Sequence, residues 1–168
     1  MSKSALCIIG GGNMGSALVR GLLAGGFDET QLTIVENDSS QIAALKNQFS
    51  KVVITTQLPK CDSIVLAIKP SEVFGVCQTL SASGVKQILS IAAGVKISTI
   101  EKATGGTVAV VRAMPNTPAL IGQGASAMSI SSTCNAENTK WAKQILLSVG
   151  TVVEVQEDLL DAVTGLSG

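Results

Sequence analysis

Short runs of Val, Ile and Leu alternate along this chain with segments whose apolar residues recur every three to four positions. The runs predict strands at 5–9, 32–36, 51–55, 63–68, 86–91, 107–113, 124–130 and 151–155. Several are apolar throughout, as strands buried on both faces of a parallel sheet must be. The helical spacing predicts helices at 13–25, 39–49, 71–81, 98–103 and 136–149. The inner face of the first carries Met14, Ala17, Leu18, Gly21 and Leu22, and Gly25-Gly26 closes it. That of the second carries Ile42, Leu45 and Phe49. The last presents Trp141, Ala142, Ile145, Leu146 and Val149, with Gly150 as its stop. Asp38 with Gln41, and Ser98 with Glu101, read as capping boxes. Strand regularly followed by helix predicts a single α/β domain: a doubly wound, mainly parallel sheet with helices on both faces.

Between the first strand and the first helix stands Gly10-Gly11-Gly12-Asn13-Met14-Gly15. This is G-x-G-x-x-G in the strand–turn–helix setting that gives the motif its meaning, and it makes the expected sheet Rossmann-like. Gly10 permits the tight turn, Gly12 lets a pyrophosphate approach the backbone, and Gly15 lets the helix pack close. The helix N-terminus then presents free N–H groups and a positive dipole end. The competing reading is a glycine-rich turn without a ligand. Glu36, about twenty residues past the turn, stands where an acidic group accepts from a ribose 2′-hydroxyl and repels a 2′-phosphate. It is equally readable as a strand-end charge. Asp38 reads as the cap of the second helix.

Composition narrows the chemistry. The 168 residues suit one domain with a real core, and 46% hydrophobic against 14% charged content fits a sheet covered on both faces. Twelve acidic and twelve basic residues cancel, and no basic tract offers a footprint for nucleic acid. The apolar runs are too short to span a bilayer. Met1 to Ala5 lead straight into the first strand, which leaves no room for a cleavable signal followed by a linker. Cys7, Cys61, Cys77 and Cys134 are scattered and read as reduced cysteines rather than as disulfides or a zinc site. The chain has no His and no Tyr, which excludes a His-based triad, a His-ligated metal and a Tyr–Lys proton relay within it. No metal is expected and no catalytic residue can be named.

Two more turns fall at strand ends, where ligands of open α/β sheets collect: Ala67-Ile68-Lys69-Pro70 and Ser90-Ile91-Ala92-Ala93-Gly94. Lys69 is either a ligand contact or a solvated lysine at a helix start. Arg112-Ala113-Met114-Pro115-Asn116-Thr117-Pro118 reads as a stiff loop that either lines a pocket or is purely structural.

Taken together, residues 10–15, 67–70, 90–95, 112–118 and 157–168 (Glu-Asp-Leu-Leu-Asp-Ala-Val-Thr-Gly-Leu-Ser-Gly) resemble pyrroline-5-carboxylate reductase in order and spacing. The resemblance runs over the whole chain. It implies reduction of the ring C=N of 1-pyrroline-5-carboxylate to proline by NADPH or NADH, in a cytoplasmic homo-oligomer. Carried over by position, Ile9, Gly10, Gly11, Gly12, Asn13 and Met14 would hold the pyrophosphate, with Gly15 in the same cofactor turn and Asn37, beside Glu36, at the adenosine ribose. Ala67, Lys69 and Pro70 would flank the other ribose, and Ile91, Ala92 and Ala93 the nicotinamide. Met114, Asn116, Thr117 and Pro118 would form the substrate side. Some members carry Arg or Ser at the position of Asn37 to contact the 2′-phosphate, so the Glu36-Asn37 pair departs from the more cationic versions.

The family continues past the motif that ends this chain into a helical dimerising domain. The expectation is therefore residues 1–168 as a cofactor domain without that second domain. Leu159, Leu160, Ala162 and Val163 would then expose apolar surface and favour self-association. The alternatives are a stand-alone NAD(P)-binding module or another imine or β-hydroxyacid-type reductase.

Overall fold

The computed structural model describes residues 5–167; Met1 to Ser4 and Gly168, the last residue of the 157–168 motif, lie outside them. The chain alternates β1 (Leu6–Ile9), α1 (Asn13–Ala24), β2 (Leu32–Val35), α2 (Ser39–Gln48), β3 (Val53–Thr55) and β4 (Ser63–Leu66). It continues through α3 (Pro70–Leu80), β5 (Gln87–Ser90), α4 (Ile97–Thr104), β6 (Ala109–Pro115) and β7 (Gly124–Ile130). It closes with α5 (Ala136–Leu147), β8 (Gly150–Glu154) and α6 (Glu157–Ser167). The strands form one eight-stranded sheet in the order β3-β2-β1-β4-β5-β6-β7-β8. All neighbours are parallel except β6 and β7. The chain winds outward from β1 in both directions, so the switch point lies between β1 and β4.

The continuous apolar strands have the cause the sequence suggested. Leu6 and Ile8 of β1 join Leu18, Ile34, Leu45, Val65, Leu89 and Ile145 in one cluster, on the face covered by α1, α2 and α5. Cys7 and Ile9, pointing the other way, join Ile64, Leu66, Val73, Cys77, Ile88 and Ile100 beneath α3 and α4. The inner strands β1, β2, β4 and β5 therefore bury both of their faces, at about 25 cal/mol per Å² of apolar area removed from water, whereas the edge strands β3 and β8 leave Val53 and Val153 exposed.

The expected strands and helices are present; several local readings are corrected. Asp38 caps α2 by accepting from the Gln41 N–H at 2.9 Å, but Gln41 does not return the bond. Its side-chain amide donates instead to the Gly11 carbonyl at 2.6 Å. Ser98 caps nothing, because α4 begins at Ile97 with Lys96 before it. That helix start is served from outside, by Glu157 accepting from the Ile97 N–H at 2.7 Å. The capping box that does form is Asn135 with Asn138 at the head of α5, each side chain accepting from the other's backbone N–H at 2.9 Å. Asn135→Ala should cost about 1 kcal/mol in a thermal or urea melt.

Residues 112–118 are not a loop throughout. Strand β6 runs on to Pro115, and Thr117–Ile121 coil into a 3₁₀ turn that ends on Gly122 at φ +75°. The last segment, outside the predicted elements, is a helix. Its Leu159-Leu160 pair with Val163 follows helical spacing, and Glu157 and Asp158 sit in its first turn, where the dipole favours them. Leu160 is fully buried, against expectation, whereas Leu159 is half exposed. All four cysteines are free thiols, three of them buried. Burial pushes the Cys77 thiol up to about 11, and that of Cys7 higher still, with Cys61 nearby adding to the effect. Neither is a ready nucleophile. No helix among the described residues is long and apolar enough to cross a membrane.

Candidate functional site

The glycine turn is built by close approach. Gly10 sits at φ +99°, and a Cβ there would overlap the Ala67 carbonyl oxygen at the end of β4. A Cβ on Gly15 would overlap the carbonyl oxygen of Gly10, so α1 packs on the turn itself rather than on the strand. At Gly12 the same hypothetical atom meets nothing within 4 Å and would project into open space. Helix α1 has no side-chain cap and no acidic residue in its first turn. Its first N–H groups therefore lack both an intrahelical partner and a cap, which is the arrangement an anion completes.

Gly11, which the motif leaves unspecified, is the best-held residue of the turn. Its N–H donates to Glu36 Oε2 at 2.9 Å. Its carbonyl accepts from the Ser16 hydroxyl at 2.8 Å and from Gln41. Glu36 is neither a bare strand-end charge nor a free carboxylate. Its second oxygen accepts from the N–H groups of Asn37 at 2.7 Å and Asp38 at 3.0 Å. The Ser40 hydroxyl and the Gln41 N–H, both donating to Asp38, hold that carboxyl below the ordinary range.

A crevice of about 740 Å³ opens over the C-terminal ends of β1, β2 and β4. It brings together Ile9, Gly10, Gly12, Glu36, Asn37, Ala67 and Lys69 from the expected set. It also takes in Ser40, Gln41 and Glu72, which the sequence reading did not assign to the site. Lys69 is exposed and immediately precedes α3, with Pro70 as the first residue of that helix. Asn13, Met14 and Gly15 lie beside the crevice in the first turn of α1.

The remaining candidates stand further along the same edge, because β4, β5 and β6 are parallel and end together. Ile91 and Ala93 are partly exposed after β5, while Ala92 is buried and its N–H points back to the Ser90 hydroxyl. Met114 is half-buried near the end of β6, and Thr117 and Pro118 are exposed. Asn116 uses its side-chain oxygen to accept from the Ala125 N–H at 2.8 Å, pinning the 3₁₀ turn to β7. Arg112, one turn of the pleat below Met114, does not face the edge. Its guanidinium is buried and pairs with Glu157 at 3.2 Å and Asp161 at 2.5 Å on α6. It lowers the Asp161 pKa by hydrogen bonding and by charge.

A glycine turn that opens a helix after β1, at the point where strand order reverses, with a crevice across the strand ends, defines a dinucleotide-binding protein. The family described as NADP oxidoreductase coenzyme F420-dependent matches residues 5–94. The chain belongs to that family. It is 33% identical to the pyrroline-5-carboxylate reductase of Corynebacterium melassecola over 98% of its own length and 64% of the relative's. Among solved structures it is similar to a pyrroline-5-carboxylate reductase from Coxiella burnetii, with TM-score 0.88 and 33% identity over 99% of this chain and 64% of that one. The Plasmodium falciparum pyrroline carboxylate reductase with NADP bound gives TM-score 0.81 and 26% identity, covering 98% of this chain and 62% of that one. The chain thus spans a little under two thirds of the length of these relatives.

Proposed function

We propose that this chain is the cofactor-binding domain of a pyrroline-5-carboxylate reductase, which reduces the C=N bond of 1-pyrroline-5-carboxylate to L-proline with NADPH or NADH. The reading places it at the last step of proline biosynthesis, in a cytoplasmic homo-oligomer whose helical dimerising domain follows residue 168. The observation that carries it is the end-to-end likeness to reductases of that name, which takes in the β5 and β6 strand ends as well as the glycine turn.

The residues present fit a dinucleotide. The uncapped N–H groups of α1 would hold the pyrophosphate, and bare Gly12 leaves the space it needs. Lys69 and Pro70 would flank the ribose beyond it. Ile91 and Ala93 would lie along the nicotinamide, which supplies the hydride when bound. Met114, Thr117 and Pro118 would wall the substrate side, with Asn116 holding that turn in place.

The chemistry asks little more of this chain. A protonated imine is already electrophilic, so the protein has to position two rings and exclude water. Without His or Tyr, the chain's part is placement, and the ring nitrogen takes its proton from solvent or from a group outside residues 1–168.

The test is a fusion of this chain, after Gly168, to the remaining C-terminal part of the Corynebacterium melassecola reductase. The fusion should consume reduced nicotinamide only when 1-pyrroline-5-carboxylate is present and should release proline. Turnover of an open-chain imine or a β-hydroxyacid in its place would assign the chain to another reductase of this fold.

A further inference from the structure

We infer that the crevice selects NADH over NADPH, and that Glu36, clamped by three backbone N–H groups, makes the choice. The inference rests on the reading of the crevice as a dinucleotide site. It departs from the cofactor named for the family and seen in the Plasmodium relative.

Glu36 follows β2 directly, and its own N–H bonds to the Thr55 carbonyl of β3, so its backbone is fixed. Its carboxylate lies across the gap between the end of β2 and the glycine turn. One oxygen takes the Gly11 N–H, the other takes the N–H groups of Asn37 and Asp38. Three backbone donors that converge in this way form an anion seat, and the protein has filled that seat with its own carboxylate. A carboxylate offers about four lone-pair directions, and three are used here. One acceptor direction is left for a ribose hydroxyl, which can donate; a phosphate cannot donate in return.

Charge points the same way. Glu36, Asp38 and Glu72 line the crevice against the single cation Lys69, which stands at the end of β4 rather than β2. A 2′-phosphate brings a further charge of about −1.5 to −2. The residues nearest the end of β2 are Asn37, Asp38 and Ser40, none of them a cation.

Glu36 cannot simply turn aside to admit the phosphate. The bond from Gly11 would be lost with it, and Gly11 belongs to the turn that meets the pyrophosphate. Gln41, whose amide holds the other side of the same peptide, ties α2 into that linkage. Accommodating a 2′-phosphate would therefore loosen the grip on the rest of the dinucleotide.

The experiment is a fluorescence titration of this chain with NADH and with NADPH in one buffer. It is followed by displacement of bound NADH with 5′-AMP and with adenosine 2′,5′-bisphosphate. NADH should bind at least about tenfold more tightly, a difference of about 1.4 kcal/mol, and 5′-AMP should be the better competitor. Both ratios should narrow at high salt, where the repulsion is screened. Glu36→Gln, checked for folding by thermal melt, should bring the NADH-to-NADPH ratio toward unity, and Asn37→Arg should raise NADPH affinity about tenfold. NADPH binding as tightly as NADH, or more so, overturns the inference while leaving the dinucleotide reading intact. An unchanged ratio in folded Glu36→Gln removes Glu36 as its cause. Binding of neither cofactor overturns both readings.

Discussion

Replacing Gly12 by alanine should weaken dinucleotide binding about a hundredfold without destabilising the fold, whereas Gly15→Ala should damage both. A hundredfold loss corresponds to about 2.7 kcal/mol. The two glycines are three residues apart in one motif, yet they face different neighbours. Gly12 has φ −64° and ψ −168°, which any residue adopts, and a Cβ there touches no protein atom. Removing a glycine from such a position can even add about 0.4–1 kcal/mol by restricting the unfolded chain. The added methyl would occupy the space through which a pyrophosphate reaches the N–H groups of α1.

At Gly15 the methyl would run into the Gly10 carbonyl oxygen, a backbone atom in a turn already fixed by the bond from the Gly10 N–H to the Val35 carbonyl. Either α1 or the turn must shift. Overpacking of this kind costs about 1–3 kcal/mol, and the displaced turn loses its ligand geometry as well. Thermal melts paired with NADH titration separate the two cases. Equal loss of stability in both variants would mean that Gly12 is as crowded as Gly15, against the geometry.

The second large effect concerns Arg112 and is asymmetric. Glu157→Ala should cost more stability than Arg112→Met, although both break the same ion pair. The Arg112 side chain is only 3% exposed, while that of Glu157 is 30% exposed. Removing Glu157 leaves a buried guanidinium short of a partner that water cannot replace, an event worth about 3–5 kcal/mol when no counter-charge remains. Here Asp161 still faces it, so the lower end of that range is expected. The Ile97 N–H at the head of α4 loses its acceptor in the same variant, for about 1 kcal/mol more. Removing Arg112 instead leaves carboxylates that solvent can reach, and methionine fills much of the space. Urea melts of the two variants check the order; a larger loss in Arg112→Met would refute the burial argument.

The pH dependence has a definite sign. Arg112 lowers the folded-state pKa of Asp161. The stability from that pair is therefore complete above the unfolded carboxylate value of about 3.9 and is lost as pH falls through the lower folded value. The difference in Tm between wild type and Arg112→Met should shrink on acidification below about pH 4. A difference that grows instead would show the pair to be formed by the protonated acid.

Much of the fold is legible in the sequence itself. The alternation of strands and helices follows from local apolar patterning, because the inner strands bury residues on both faces and the helices bury a stripe. The glycine turn was equally legible, since close approach and positive φ leave few alternatives to glycine. What could be read less well were the partners of polar side chains. Gln41 has the spacing of a capping residue and instead reaches Gly11, thirty residues away in sequence. Ser98 has the spacing of a cap and makes none, because α4 starts one residue early and receives its acceptor from α6. Helix α6 itself follows a readable apolar spacing; its role as partner of a buried arginine does not.

The chain's own sequence determined the α/β alternation, the doubly wound class of the sheet and the position of the dinucleotide turn, which rest on periodicity and local spacing; the strand order and the antiparallel β6–β7 pair rest on long-range pairing. Only the tertiary structure decided that Glu36 is clamped, that Gln41 braces Gly11 and that Arg112 is sealed beneath α6. The bonds that join Gly11 to Glu36 and Gln41, and Arg112 to Glu157 and Asp161, link residues 25 to 49 positions apart. A polar side chain there has several acceptors or donors within its chemical reach, and the one it takes is set by how the packed elements stand against one another.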